Sequence, residues 1–498
     1  MVGLQTMPAA AAEEPPRQTC NSASGESWAE DLEARTCVAT GPEAPSKPQH
    51  VCGGSTGPLP TLSAQQRRLR FKTTLAAMSL DAIPGLYVGS STWVDFMNKT
   101  VPPGMSSWLA PGVTQPGVFI VTGLCIYFPL LAYLLRRKKM AVQTLGVLAM
   151  LGVAFPLSIA VTAGGGGFWV QYFGAALGGV GLVAAQFVEK IIAIQWWALT
   201  GESATGAAWM GGSVGVWSLA FTLGSAWLCH GLGLEYAMYI LAVIIFLATL
   251  FPLWLAYTGE LQAPLPETMC ASANSASVSG HGQGKAVERS AFAMRSLLCS
   301  LTFWQLAFHF MAFFFFGFGM KQLLSPIFQA TYGVTYLESA YLAAVVLAIY
   351  AAVRSGLPLL TRRLPLTPVC AGLMAFSAIL YACFPAIVRH LPVWWLLLAK
   401  TLTGASFAGA STLRNLLALE LYGAAGLADV LPLLEVGVGV GKLVGPMAGY
   451  FIYLADTDEG IGGGDHSSYN PFFYACAVVA AADAGNLLAL HLRSRRQF

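Results

Sequence analysis

The chain has 498 residues, of which 56% are hydrophobic and only 10% charged, with a formal net charge of +3. A soluble domain carries about 25% charged residues, so this composition excludes a soluble protein and reads as a polytopic membrane protein in contact with a lipid bilayer. The small net charge gives no electrostatic footprint for a nucleic-acid partner.

The cysteines show no CxxC pair and no metal-ligand spacing. Cys125, Cys299, Cys370, Cys383 and Cys476 lie in apolar runs and read as small buried hydrophobes. No ATP-binding motif, Ser-His-Asp triad, HExxH or His-x4-Asp constellation is present. The expectation is therefore a non-enzyme with no cofactor and no metal.

Taken in order, residues 1–66 are rich in Ala, Pro, Ser and Gly. Glu13, Glu14, Glu26, Glu30, Asp31, Glu33 and Glu43 outnumber Arg17, Arg35 and Lys47. Such a stretch buries no core and is expected to be a disordered cytosolic tail. It has no apolar run of the kind a cleaved secretory signal needs, and its acidity argues against a mitochondrial transit peptide.

From Arg67 onward, apolar segments recur at about 73–96, 113–135, 141–162, 168–192, 205–228 and 235–257. A second set follows at 297–323, 337–360, 367–388, 392–417, 431–454 and 471–492. Each is near the ~20 residues that a bilayer demands. The first is interrupted by Asp81 and Pro84. Residues 259–296 are polar and Ser-rich and read as a cytosolic linker between an N-terminal half, 67–258, and a C-terminal half, 297–492. A short basic tail, 493–498, closes the chain. The expected fold is all-α, twelve transmembrane helices in two six-helix halves.

The loops sort by charge. Arg67, Arg68, Arg70, Arg136 to Lys139, Arg289, Arg295, Arg362, Arg363, Arg493, Arg495 and Arg496 fall on one side. The other side carries Lys99 and Arg389 with Asp456, Asp458, Glu459 and Asp465. The positive-inside rule then puts both termini in the cytosol. Asn98-Lys99-Thr100 is formally a glycosylation sequon, but it lies too close to a predicted helix end for use to be expected.

Several local motifs, in their order, resemble the major facilitator superfamily and, within it, the oxalate/formate antiporter and monocarboxylate transporter branch. They are Tyr87-Val88-Gly89-Ser90-Ser91-Thr92-Trp93, Trp196-Trp197 followed by Ala204-Thr205-Gly206, Phe303-Trp304-Gln305-Leu306 with Gly317 and Gly319, and Gly445-Pro446. The resemblance covers about Phe71 to Arg493. It implies transport by alternating access around a midplane site. In the resembled branch an Arg on the eighth helix and a Lys on the eleventh bind the substrate carboxylate. Arg354 falls on the matching Arg position, and Lys442 lies about one turn from the expected Lys. The chain also departs from the superfamily. Tyr133 and Leu134 stand where an Asp and an Arg belong, Leu360 where an acid is expected, and Gly201 where an Arg is usual. Those charges normally latch the cytosolic ends, so the gate is expected to be held differently here.

The residues themselves give candidates independently. A charge inside a membrane span costs about 2.5–3.5 kcal/mol even on the gentlest scale, so it usually faces a cavity or a partner. Arg354 reads as an anion site, or else as a side chain snorkelling to the headgroups about two turns away. Lys442, mid-span in GVGVGVGKLVGP, needs a partner or an anion. Glu435 either neutralises Lys442, carries a coupled proton, or is a solvated acid at a helix end. Asp81 is a second proton-coupling candidate or an acid at the cytosolic mouth. His309 is a third, against the plainer reading of a hydrogen-bonded core histidine. Lys321 and Lys400 are expected in a vestibule or at the interface, and Glu189-Lys190 as a local cytosolic pair. Asp483 and Asn486 are expected to satisfy one another or backbone. Tyr87 and Trp93 are expected to wall the cavity. The glycines Gly437, Gly439 and Gly441 before Lys442 imitate a phosphate loop, but inside an apolar span they read as close helix approach, as do Gly174, Gly178, Gly211 and Gly215.

The reading is a secondary transporter of small organic anions, monocarboxylates such as lactate or pyruvate or oxalate-like dianions, by proton symport or anion exchange. A carrier of another solute such as an amino acid, or a non-transporting sensor or partner subunit, stays open. The plasma membrane, or an organelle membrane, and an accessory membrane subunit complete the expectations.

Overall fold

The computed structural model describes residues 62–89, 93, 119–136, 140–167, 169–264, 297–458 and 469–496. Most of the N-terminal region, the Asn98 sequon, the cluster at Arg137 to Lys139, most of the 259–296 linker, and Glu459 and Asp465 lie outside them. Among the described residues the chain is helical and contains no strand.

The first span runs as Ala64–Leu80 and Ala82–Val88. It begins ahead of the expected boundary at Arg67 because Ser63 and Gln66 form a reciprocal capping box, Gln66 N–H donating to Ser63 Oγ at 3.2 Å and Ser63 N–H to Gln66 Oε1 at 2.9 Å. A cap of this kind is worth about 1 kcal/mol, and it starts the helix on basic turns that hydropathy alone does not mark. The interruption expected at Asp81 and Pro84 is a real break in the span. Proline lacks an N–H to return to the carbonyl four residues earlier, so the helix loosens there.

The second span joins a π-helical turn, Val121–Tyr127, to Phe128–Arg136, and the third runs through Thr144–Ala149, Met150–Val153 and Ala154–Ala163. The fourth comprises Trp169–Phe187, a π-helical turn Val188–Ala193, and Ile194–Ala198. Spans five and six form one continuous run, Ser203–Tyr257, broken only at Gly233, where φ is 82°. A side chain there would be strained, which is why glycine can turn the chain without a longer loop. Spans ten and eleven repeat the device in Val393–Asp458 at Gly423, φ 70°. Between these runs lie span seven, Leu301–Gln322 with Leu324–Tyr332, span eight, Tyr336–Leu360, and span nine, Leu366–His390. Span twelve is Asn470–Arg496. Seven of these helices are individually long and apolar enough to cross a membrane, so this is a multi-pass membrane protein.

Small residues set the packing. A Cβ on Gly441 would stand 2.3 Å from the Met311 carbonyl oxygen, and one on Gly445 2.1 Å from that of Phe315. Spans seven and eleven therefore touch backbone to backbone along a four-residue ridge. The halves meet in related ways. A Cβ on Gly215 would lie 2.5 Å from Ala351 Cα, bringing span five against span eight. A Cβ on Gly439 would lie 2.5 Å from Cys125 Sγ, bringing span two against span eleven. Exchanging the halves, by adding six to span five and subtracting six from span eight, turns one pair into the other, as two equivalent halves require.

Large apolar side chains such as Trp227, Ile379, Trp394 and Val478 remain exposed on the outside of the bundle, as a lipid-facing surface should be. Phe313 and Phe316 of the Phe313 to Phe316 run are fully buried core. At the end with the basic residues, Arg70 pairs with Glu202 at 2.9 Å and lies 4.3 Å from the Trp197 ring. Lys72 pairs with Glu260. The first tie lies within the N-terminal half, and the second joins that half to the start of the linker. Gly201, which stands where an Arg is usual, has φ 70° and turns the chain between spans four and five.

Candidate functional site

A cavity lies between the halves. Pro84, Val88, Gln186, Glu189, Lys190 and Val214 line it from the N-terminal half, and Phe314, Phe318, Tyr350, Arg354, Phe407, Ser411, Arg414 and Lys442 from the C-terminal half. Pro84 and Val88 are there because the first span breaks at Asp81 just below them.

Arg354 comes from span eight. Its Nη1 donates to the Tyr350 hydroxyl, one turn earlier, at 2.8 Å, while its buried Nε has no hydrogen-bond partner. Tyr350 is itself stacked on Phe407, ring centres 5.9 Å apart. The guanidinium is thus held from one side with donors to spare. Lys442, from span eleven, lies 4.9 Å from the Phe314 ring, 5.5 Å from Phe318 and 5.7 Å from Tyr87. Tyr87 and Phe318 stack at 4.9 Å with planes 8° apart. An ammonium over ring faces is stabilised by the ring quadrupoles, but Lys442 forms no ion pair with a described residue.

Glu435 is fully buried, and its Oε1 accepts from Lys190 Nζ at 2.8 Å and from Arg414 Nη2 at 3.0 Å. Lys190 also donates to Gln186 at 2.8 Å. Glu435 Oε2 and Arg414 Nε and Nη1 are buried without partners. Lys190 belongs to the N-terminal half and the other two to the C-terminal half, so the triad bridges them. Asp81 is 1% exposed and accepts a hydrogen bond from Ser213. Glu189 is near enough for the two carboxyl groups to interact electrostatically.

The cavity therefore holds four cationic side chains, two of them forked guanidiniums with free donors, walled by aromatic rings. Such an arrangement accepts a small anion with an apolar or planar body, and a guanidinium can grip a carboxylate in two places.

No family model matches the chain, and neither does the sequence of any curated protein. Solved structures do. The proton:xylose symporter XylE bound to 6-bromo-6-deoxy-D-glucose matches with a TM-score of 0.61 at 14% identity, over 84% of this chain and 95% of its own. The POT family transporter PepTSo gives 0.57 at 14%, over 86% and 99%. The human organic anion transporter MFSD10 (TETRAN) gives 0.56 at 13%, over 85% and 100%. The chain has the major facilitator fold. Identities this low speak for the fold alone.

On the major facilitator fold, the residues singled out in the sequence separate into two groups. Arg354, Lys442, Asp81, Glu435 and Tyr87 come together at or beside the interface of the halves. His309 and Trp93 do not line the cavity. His309 Nδ1 lies 2.7 Å from Asp483 Oδ2, both side chains fully buried between spans seven and twelve. Asp483 thus answers His309 rather than Asn486, which donates to the Gln305 carbonyl. Trp93 packs edge-on against Phe155 at 6.0 Å inside the N-terminal half. Glu435 pairs with Lys190 and Arg414 rather than Lys442, and it is no solvated helix end because its side chain is fully buried.

Two expectations are corrected. Glu189-Lys190 is not a local cytosolic pair: both are buried, on the π-helical turn Val188–Ala193, and Lys190 reaches across to the other half. Widening the helix by a residue per turn brings consecutive side chains inward, and such turns recur at functional sites. Lys321 and Lys400 are not interfacial: they are buried within the C-terminal half, over the Tyr350 ring at 4.2 Å and the Tyr381 ring at 5.9 Å respectively. The residue that sequence reasoning missed is Arg414. It satisfied the same criterion as Arg354, a guanidinium in an apolar run, but it stood near the expected end of its span.

Proposed function

We propose that the protein is a secondary carrier of small organic anions, moving them by alternating exposure of the cavity between the halves. The observation that carries the reading is the pair of guanidiniums, Arg414 buried and Arg354 half-buried, both lining the cavity with buried, unpartnered donor atoms. A buried donor left unsatisfied is costly, and a carboxylate satisfies several at once. Lys442 adds positive field, and the Phe314, Phe318 and Phe407 rings supply the apolar wall, with Tyr87 stacked on Phe318 beside it. The substrate class is that of the resembled branch, monocarboxylates such as lactate or pyruvate, or oxalate-like anions. Asp81, beside the cavity and close to Glu189, is the group we assign to proton coupling. Both termini lie in the cytosol and the carrier works at the plasma membrane.

A second reading has one observation in its favour. Glu189 lines the same cavity as the cations, so a zwitterion such as an amino acid would find both charges answered.

Uptake into proteoliposomes separates the two. Labelled lactate, pyruvate, oxalate and formate are compared with an amino-acid panel, at inward and absent pH gradients. Saturable uptake of a carboxylate, blocked by other carboxylates and not by amino acids, is the expected result. Uptake of amino acids alone would replace the anion reading with the second one, and no uptake of any panel member would remove both.

A further inference from the structure

Glu435 sits where a substrate carboxylate would be expected to sit. It is fully buried, its Oε1 is shared between Lys190 at 2.8 Å and Arg414 at 3.0 Å, and those cations belong to opposite halves. Both cations line the cavity. The arrangement is not saturated: Glu435 Oε2 and two donors of Arg414 have no partner. An ion pair kept only for stability would be expected to fill these positions, because each unfilled one is costly in a dry site.

We infer that Glu435 is a tethered counter-anion that stands in for the substrate when the carrier is empty, and that it allows the unloaded carrier to reorient. The inference rests on the anion reading of the cavity. The physical argument is charge compensation. Closing the halves over Lys190, Arg354, Arg414 and Lys442 with no anion present would bury uncompensated charge, the costliest arrangement a protein interior offers. Glu435, shared between one cation from each side of the interface, lowers the net charge of that pair from two to one at the moment of closure. A substrate carboxylate then takes the free donors of Arg414 and Arg354 and leaves Glu435 in place. With this acid the carrier can return empty and perform net uptake. Without it, closure needs a bound anion, and the carrier becomes an exchanger.

The charged groups facing the triad keep the assignment specific. Glu189 lies on the same turn as Lys190 and acts electrostatically on Lys190, Arg414 and Asp81, but it forms no ion pair with either cation. Lys442 is on the same helix as Glu435 but lies over aromatic rings rather than on its carboxylate. Neither replaces Glu435 between Lys190 and Arg414.

The test compares two modes of transport in the same proteoliposomes: net uptake into vesicles without internal substrate, and counterflow into vesicles preloaded with the same carboxylate. The carboxylate is whichever member of the panel the wild type moves. In Glu435→Gln the ratio of net uptake to counterflow should fall about tenfold or more. The double variant Glu435→Gln with Lys190→Gln removes one cation as well, and the ratio should recover most of that loss. A fall of both modes in parallel, an unchanged ratio, or no recovery in the double variant would overturn the inference.

A substrate-free readout keeps it separable from the anion reading. Ser411→Cys places a thiol on the cavity wall, in a background cleared of native cysteines. In empty vesicles it should react with impermeant maleimide added to either face when Glu435 is present, and with reagent on one face only in Glu435→Gln. Labelling from both faces in both proteins would sink the counter-anion role. Failure of the wild type to move any panel anion would sink the anion reading instead.

Discussion

At the scale of the residue, what matters is which buried charges are answered within the fold and which are left for a ligand. His309 and Asp483 answer one another, 2.7 Å apart and fully buried. They lie away from the cavity, and we propose a structural role for the pair. Replacing His309 by Phe keeps the ring volume but leaves a buried carboxyl without its partner, costing about 1–3 kcal/mol of stability or more. The expected outcome is a lower unfolding temperature of the detergent-solubilised protein with uptake per folded molecule retained. A pH profile of uptake that moved in His309→Phe would return the residue to proton coupling. Arg354 was legible from the sequence because one guanidinium interrupts an apolar run. Arg414 was not, because its depth depends on span ten continuing to Gly423, and only the φ of that glycine shows that it does. Lys190 hid for another reason. Adjacent opposite charges look self-neutralising in a sequence, and a π-helical turn that points both inward has no signature in hydropathy.

At the scale of the element, close approach governs. A Cβ on Gly445 would stand 2.1 Å from the Phe315 carbonyl oxygen, whereas one on Gly224 meets nothing within 4 Å. Gly445→Ala must therefore push spans seven and eleven apart, with a loss of about 1–3 kcal/mol. Gly224→Ala should be neutral or gain about 0.5–1 kcal/mol from helix propensity alone. Folded yield and thermal unfolding of the two variants measure this directly; equal behaviour would mean that the ridge contact does not hold the bundle. The glycines that resembled a phosphate loop were readable as packing residues because they lie inside an apolar span. Their partners were not, since nothing in a sequence pairs Gly441 with Met311. The helix that carries the first span starts ahead of its apolar segment for a similar reason. Its capping box extends the helix through a basic stretch that hydropathy discounts.

At the scale of the whole molecule, periodic apolar segments and one polar linker were enough to give the two-half architecture, because a bilayer allows little else. The cavity was only partly legible, since it is assembled from side chains far apart in sequence, such as Lys190 and Glu435. The charge sorting of the loops leads to a topology that can be measured. Leu232, exposed beside the Gly233 break, and Leu364, exposed after span eight, should lie on opposite faces. Leu232→Cys should react with impermeant reagent outside the cell and Leu364→Cys only after permeabilisation. Labelling of both from one face would overturn the arrangement of the termini.

The most direct test of the anion reading is the affinity of the transported carboxylate for wild type and for Arg354→Lys at matched membrane abundance. Lysine keeps the charge but loses the planar fork, and truncating a charge-assisted pair in a dry site costs about 2–5 kcal/mol. Affinity should therefore weaken by about tenfold or more, with a smaller loss in Lys442→Gln, whose ammonium rests on rings rather than on a fixed hydrogen bond. Near-wild-type affinity in Arg354→Lys would contradict the account, because a side chain that merely snorkels needs only its charge and its length.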